Sequence, residues 1–137
     1  MPISSIYSKL FIIPQSTIDE NGHVNNVAYV QWMQDIAIEH YAAIGGIEAQ
    51  GKYATWVIRE HRIEYLLPAF AGEEIEIKTW VENIRRVRSL RKYEFVRKSD
   101  EKVLVRGETE WVFVDAKTGR PIPIPSEVSK VFSLSQE

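Results

Sequence analysis

The feature that most constrains this chain is a stretch that reads as one long helix with almost no polar side. Asn25 or Asn26 can cap its first amides, and Gly45-Gly46 supplies a left-handed stop. Between them Tyr29, Trp32, Met33, Ile36, Ala37, His40, Tyr41 and Ile44 recur at alternating gaps of three and one, which makes one continuous helical face. Val27, Val30 and Ile38 widen it, leaving a narrow polar stripe of Gln31, Gln34, Asp35 and Glu39. A helix this apolar expects contact over most of its circumference, so the rest of the chain is expected to wrap it.

The rest is strand-like. Ile6 to Ile13 is rich in aliphatic and aromatic residues and stops at Pro14. After the helix, Tyr53 to Leu67 reads as a strand whose alternation slips at Arg59-Glu60-His61, the mark of a bulge. Ile75, Ile77, Thr79 and Val81 alternate with Glu76, Lys78, Trp80 and Glu82 in the next. Ser89 to Lys98 and Val103 to Asp115 follow, joined by a hairpin turn at Ser99-Asp100-Glu101-Lys102. Ser126 to Phe132 reads as a short helix beyond a Pro-rich stretch. The order β-α-β-β-β-β predicts an α+β fold, a largely antiparallel sheet curled around one buried helix.

The 137 residues suit a single domain, 1–137, and 45% hydrophobic content supports a core without disulfides. With no cysteine, thiol nucleophiles and thiolate metal sites are excluded, and a reducing cytoplasm is the expected setting. A net charge of −2 offers no global field for nucleic acid or an anionic membrane. The first residues lack the pattern of a signal peptide, and no apolar run approaches the ~20 residues that span a bilayer. There is no nucleophile elbow, dinucleotide or phosphate loop, and His23, His40 and His61 do not share a metal-ligand spacing. Neither metal nor other cofactor is expected.

Chemistry concentrates in Asp19-Glu20-Asn21-Gly22-His23-Val24-Asn25-Asn26, a carboxylate on a Gly-containing loop that feeds a helix N-terminus. Free amides at such an end carry partial positive charge and suit a polarised carbonyl or an oxyanion. A carboxylate beside them can attack the carbonyl carbon or take a proton from a water that does. Thioesters suit this sparse machinery, because a leaving thiol with a pKa near ~8.5, by analogy with cysteine, departs as thiolate without a dedicated acid. Taken alone, Asp, Asn and Gly before a helix more often cap and turn than catalyse.

The segment resembles the signature of the hotdog thioesterases related to 4-hydroxybenzoyl-CoA thioesterase, Asp-x-x-Gly-His-Val-Asn-Asn, and the similar Asp-x-Asn-x-His-Val-Asn-Asn of plant acyl-carrier-protein thioesterases. Asp19, Asn21, Gly22, His23, Val24, Asn25 and Asn26 fit both. The likeness continues through Ile63-Glu64-Tyr65 with Pro68-Ala69, and through Phe113-Val114-Asp115-Ala116 with Thr118-Gly119-Arg120-Pro121. The resemblance implies a hotdog fold and hydrolysis of an acyl thioester, with coenzyme A the favoured carrier and an acyl carrier protein the second. It also implies a homodimer or homotetramer with sites at the subunit interface. Asp19 would be the nucleophile or general base, the amide at Asn26 the oxyanion donor, and Asn21 and His23 residues that orient the acyl group or assist water. Pro68 stands where the plant pattern has a further carboxylate, which favours the simpler Asp-centred mechanism.

Glu60, at the strand slip, is a further candidate for substrate contact, although an ion pair or edge charge is the commoner role for such a residue. Asp35 and Glu39 are alternative carboxylates, since another hotdog lineage uses an acid from the helix of the opposite subunit. Alternation places Arg86, Arg88 and Lys92 on one strand face and Arg85, Arg91 and Arg97 on the other. Arg88 and Lys92 are the candidates for coenzyme A phosphates, against the plainer role of solvating a strand. A non-catalytic acyl-binding module with the same fold is the rival function.

Overall fold

The computed structural model describes residues 3–134 and 136. Five strands form one antiparallel sheet: β1 (Tyr7–Ile12), β2 (Ala54–Tyr65), β3 (Glu74–Arg85), β4 (Arg88–Arg97) and β5 (Lys102–Asp115), in the spatial order β1-β3-β4-β5-β2. Helix α1 (Asn26–Ala43) lies on one face of the curved sheet, followed by α2 (Gly46–Gln50), while α3 (Ser126–Val131) closes the far end. This is the hotdog arrangement. No helix among the described residues is long and apolar enough to cross a membrane.

Alternation decides which side chains enter the core. On β3, Ile75, Ile77, Thr79 and Val81 are buried between partly exposed neighbours, and on β4 Ser89, Arg91, Tyr93 and Phe95 do the same. The slip expected near Glu60 is present as a register shift between Ile58 and Glu60 against β5. Another shift, between Phe95 and Val96 against β5, has its extra residue, Leu104, on β5. Strand β4 keeps its register on β3, with Arg91 opposite Val81 and Arg97 opposite Ile75, so the two arginines share a face as expected, and Arg97 meets Asp100 and Glu73 at the strand end.

The helix begins and stops where its caps predict. Asn25 accepts the Val27 amide at 2.8 Å, and Gly45 adopts a φ of 86° just past the last turn. Its buried face is Tyr29, Met33, Ile36, Ala37 and His40. The expectation of contact around most of the circumference needs correcting: Val27 is 73% and Ile38 60% exposed, because one chain's sheet reaches a single side of α1. The core accordingly forms two clusters. One joins the first half of α1 to Ile75, Ile77, Tyr93 and Phe95, and the other gathers Val81, Ile84, Phe113 and Phe132 under α3.

The short helix α2 was not foreseen, since Gly45-Gly46 reads only as a stop. Gly46 is buried, and a Cβ there would overlap the ring of Tyr41. The missing side chain lets α2 fold back against the end of α1.

Candidate active site

The loop before α1 is held by its own backbone. Ile18 and Val24 form an antiparallel bridge, the Asp19 amide donates to the His23 carbonyl at 3.1 Å, and the Gly22 amide donates to the Asp19 carbonyl at 3.0 Å. Gly22 takes a φ of 83°, a left-handed turn that a residue with a Cβ would strain. The two ends of the loop are tied down as well. The Val24 amide donates to the Ala69 carbonyl at 2.9 Å, and the Asn25 amide to the Thr17 carbonyl at 2.8 Å.

Asp19 is half-buried at the turn, and its Oδ1 accepts the Asn21 amide at 2.9 Å. That bond fixes the carboxylate while leaving its second oxygen available. At the helix start, the Asn25 side chain takes the Val27 amide and the Asn25 carbonyl takes the Ala28 amide at 3.0 Å. Among the described residues no acceptor engages the Asn26 amide. A fixed carboxylate and a free helix-end donor thus sit on one short loop, which suits addition to a carbonyl and stabilisation of the resulting oxyanion.

Behind the loop stands an aromatic wall. Tyr29 meets Phe95 at 5.0 Å, Trp32 at 5.5 Å and Tyr65 at 5.6 Å between ring centroids. Burial pushes the Tyr29 phenol up to about 12, so it stays neutral. The Tyr65 hydroxyl points at the Asn26 carbonyl from 3.5 Å, which marks the end of β2 as the neighbour of the helix start. Tyr65 and Ala69 belong to the site's frame although no chemistry was read from them; their signal was the second stretch of family likeness.

Asp19, Asn21, His23 and Asn26 therefore come together. Among the described residues no contact joins Glu60, Arg88 or Lys92 to Asp19 within the chain. Glu60 is exposed on the edge strand β2, and it is its neighbour Arg59 that pairs with Glu110, at 2.9 Å. Arg88 and Lys92 lie on the face of the sheet away from α1, at 3.7 Å from Glu110 and 4.0 Å from Glu82. Asp35 accepts from Gln31 at 2.8 Å and Glu39 pairs with Lys9 at 2.8 Å, both farther along α1.

The family model of the thioesterase-like superfamily matches residues 13–132. No curated protein matches the sequence. Among solved structures, a DHNA-CoA thioesterase from Staphylococcus aureus superposes with a TM-score of 0.81 at 21% identity, over 93% of this chain and 89% of that one. A 1,4-dihydroxy-2-naphthoyl-CoA thioesterase from Synechocystis gives a TM-score of 0.81 at 14% identity, over 93% and 96% of the two chains. At such identities the likeness is one of fold.

Proposed function

The chain belongs to the thioesterase-like superfamily and is a thioester hydrolase, and from that premise we propose that it cleaves acyl-CoA to a free acid and coenzyme A, with Asp19 as the reacting carboxylate. The observation that carries this reading is the pairing of a carboxylate fixed through one oxygen with the unengaged Asn26 amide at the start of α1. Asp19 takes a proton from a water whose oxygen bonds to the thioester carbonyl carbon. The carbonyl electrons move onto oxygen, where the Asn26 amide and the helix end stabilise them. Collapse of that intermediate breaks the C–S bond and releases the thiolate. The same carboxylate serves a covalent route, in which it attacks the carbon itself, the C–S bond breaks to release the thiolate, and water then cleaves the mixed anhydride to the free acid and the Asp19 carboxylate.

Asn21 and His23, exposed and half-buried on the same loop, orient the acyl group and the water in this reading. Arg88 and Lys92 bind the nucleotide phosphates. Their exposed pairs with Glu110 and Glu82 are of the kind worth about 0–1 kcal/mol, so phosphates can displace them. The working unit is a homodimer, or a tetramer built from it, joined along the open edge of β2, where Val57 is 45% exposed. Glu60 reaches substrate only across that edge.

The test is a hydrolysis screen of the purified protein against short, medium, long and aromatic acyl-CoAs, repeated on acyl carrier protein. Turnover of at least one acyl-CoA series supports the reading. Turnover confined to the carrier protein would change the carrier, and none on either would leave the acyl-binding module.

A further inference from the structure

A cavity lies at the opposite end of α1 from Asp19. It has a volume of about 310 Å³ and opens between α1, α2 and the sheet, with Tyr41, Trp56, Trp111 and Phe132 in its wall. The exposed side chains of Ile38 and Ile47 line it too, so it is reached from the surface. Ala37, on its wall, is eleven residues along the helix from Asn26, on the order of 16 Å at 1.5 Å per residue. None of its lining residues belongs to the catalytic loop.

Arg91 lines this cavity and is 4% exposed. Its Nη1 donates to His40 Nδ1 at 2.8 Å and to Thr79 Oγ1 at 3.1 Å, and its guanidinium lies 5.8 Å from the centre of the Phe132 ring. Every one of these partners is neutral or, for His40, held neutral by burial and by the Arg91 charge. No carboxylate among the described residues pairs with Arg91. A buried cation without a counter-charge forfeits solvation that neutral acceptors recover only in part. In the same wall Tyr41 accepts from the Trp56 indole, which leaves its own buried hydroxyl proton without an acceptor. Walls of aromatic rings, one spare donor and one uncompensated cation together describe a receptor for an anion on an apolar body.

We propose that this cavity binds a small carboxylic acid with an aromatic or aliphatic body, its carboxylate on Arg91 and its body against Trp56, Trp111 and Phe132. Carboxylate suits the planar guanidinium, which can meet it through two parallel hydrogen bonds. The proposal stands independently of the reaction at Asp19.

Trp56 and Trp111 supply a direct readout, since a bound acid changes their fluorescence. The full-length protein is titrated with benzoate and hexanoate, and in parallel with benzamide and hexanamide, which keep the shape and lose the charge. The expected result is saturable binding of the acids at least tenfold tighter than of the amides. Arg91→Met is expected to remove that preference, Tyr41→Phe to weaken acid binding several-fold, and D19N to leave it unchanged. Equal affinity for acids and amides in the wild type, or no saturable signal with either, overturns the proposal whether or not the Met variant folds. A preference that survives Arg91→Met in a folded variant overturns it as well.

Discussion

Arg91 on β4 donates to Nδ1 of His40 on α1 at 2.8 Å, joining the sheet to the helix through two side chains that are both almost fully buried. The contact requires a neutral imidazole, and burial, then the Arg91 charge, lowers His40 from 6.5 to about 4. Between those values the unfolded chain binds a proton that the folded one refuses. The stability that comes from burying a neutral His40 beside Arg91 is therefore complete above about pH 6.5 and is lost as the pH falls toward 4, on the order of a few kcal/mol at about 1.36 kcal/mol per pKa unit. His40→Gln keeps an acceptor for Arg91 and cannot titrate there. Thermal melting across pH 4 to 7.5 is expected to show a shallower acid slope for the Gln variant; equal slopes contradict the assignment.

The cap at Asn25 couples helix stability to the site. Asn25→Ala removes the acceptor for the Val27 amide and is expected to cost about 1 kcal/mol. It also frees an amide beside Asn26 and loosens the loop, so kcat should fall several-fold, whereas Asn25→Ser should restore most of both. Chemical denaturation and steady-state kinetics on the same preparations check the pair. An Ala variant with unchanged stability would mean that another group takes up the Val27 amide.

Arg88 and Lys92 test the carrier. Replacing both with Ala should raise KM for acyl-CoA several-fold with a smaller change in kcat, because such contacts hold substrate and transition state alike. Activity on an acyl-pantetheine without the nucleotide should hardly move. Equal losses on both substrates would place the two residues in the fold or the subunit contact instead.

Much of this fold was legible because period and punctuation agreed. Asn25, Gly45 and the three-and-one spacing fixed α1, and the failed alternation at Glu60 announced a real bulge. Features that depend on distant packing were not legible. The extra residue at Leu104 on β5 had no marker in the local pattern, and Gly46 concealed α2 behind the sign of a helix stop. Arg91 was counted as one charge of a basic strand. Its parity with Tyr93 and Phe95 already placed it inward, but His40 as its partner required the crossing of α1 over β4. At the site, the signature named Asp19 and Asn26, and a second stretch of likeness held Tyr65 and Ala69, while their place with Thr17 in the frame came from backbone and hydroxyl contacts across the fold.

The exposed side of α1 and the open edge of β2 bear on assembly. Val27 and Val57 are apolar and exposed in one chain, and such an edge is commonly closed by pairing. Light scattering at micromolar concentration is expected to give a dimer or tetramer, and Val57→Lys to shift it toward the monomer with loss of activity. A fully active monomer contradicts the assembled site.

The most direct test of the central claim is kcat of Asp19→Asn at saturating substrate, with melting temperature and oligomeric state measured in parallel. The amide keeps the size of the side chain and an oxygen to accept the Asn21 amide, so the loop should remain folded and substrate should still bind. As neither a base nor a nucleophile at neutral pH, it should lower kcat by at least ~10²-fold, the lower range for a lost general base. A folded Asn variant that keeps more than about a tenth of the wild-type kcat, above what loss of a general base allows, would show that Asp19 is not the reacting carboxylate.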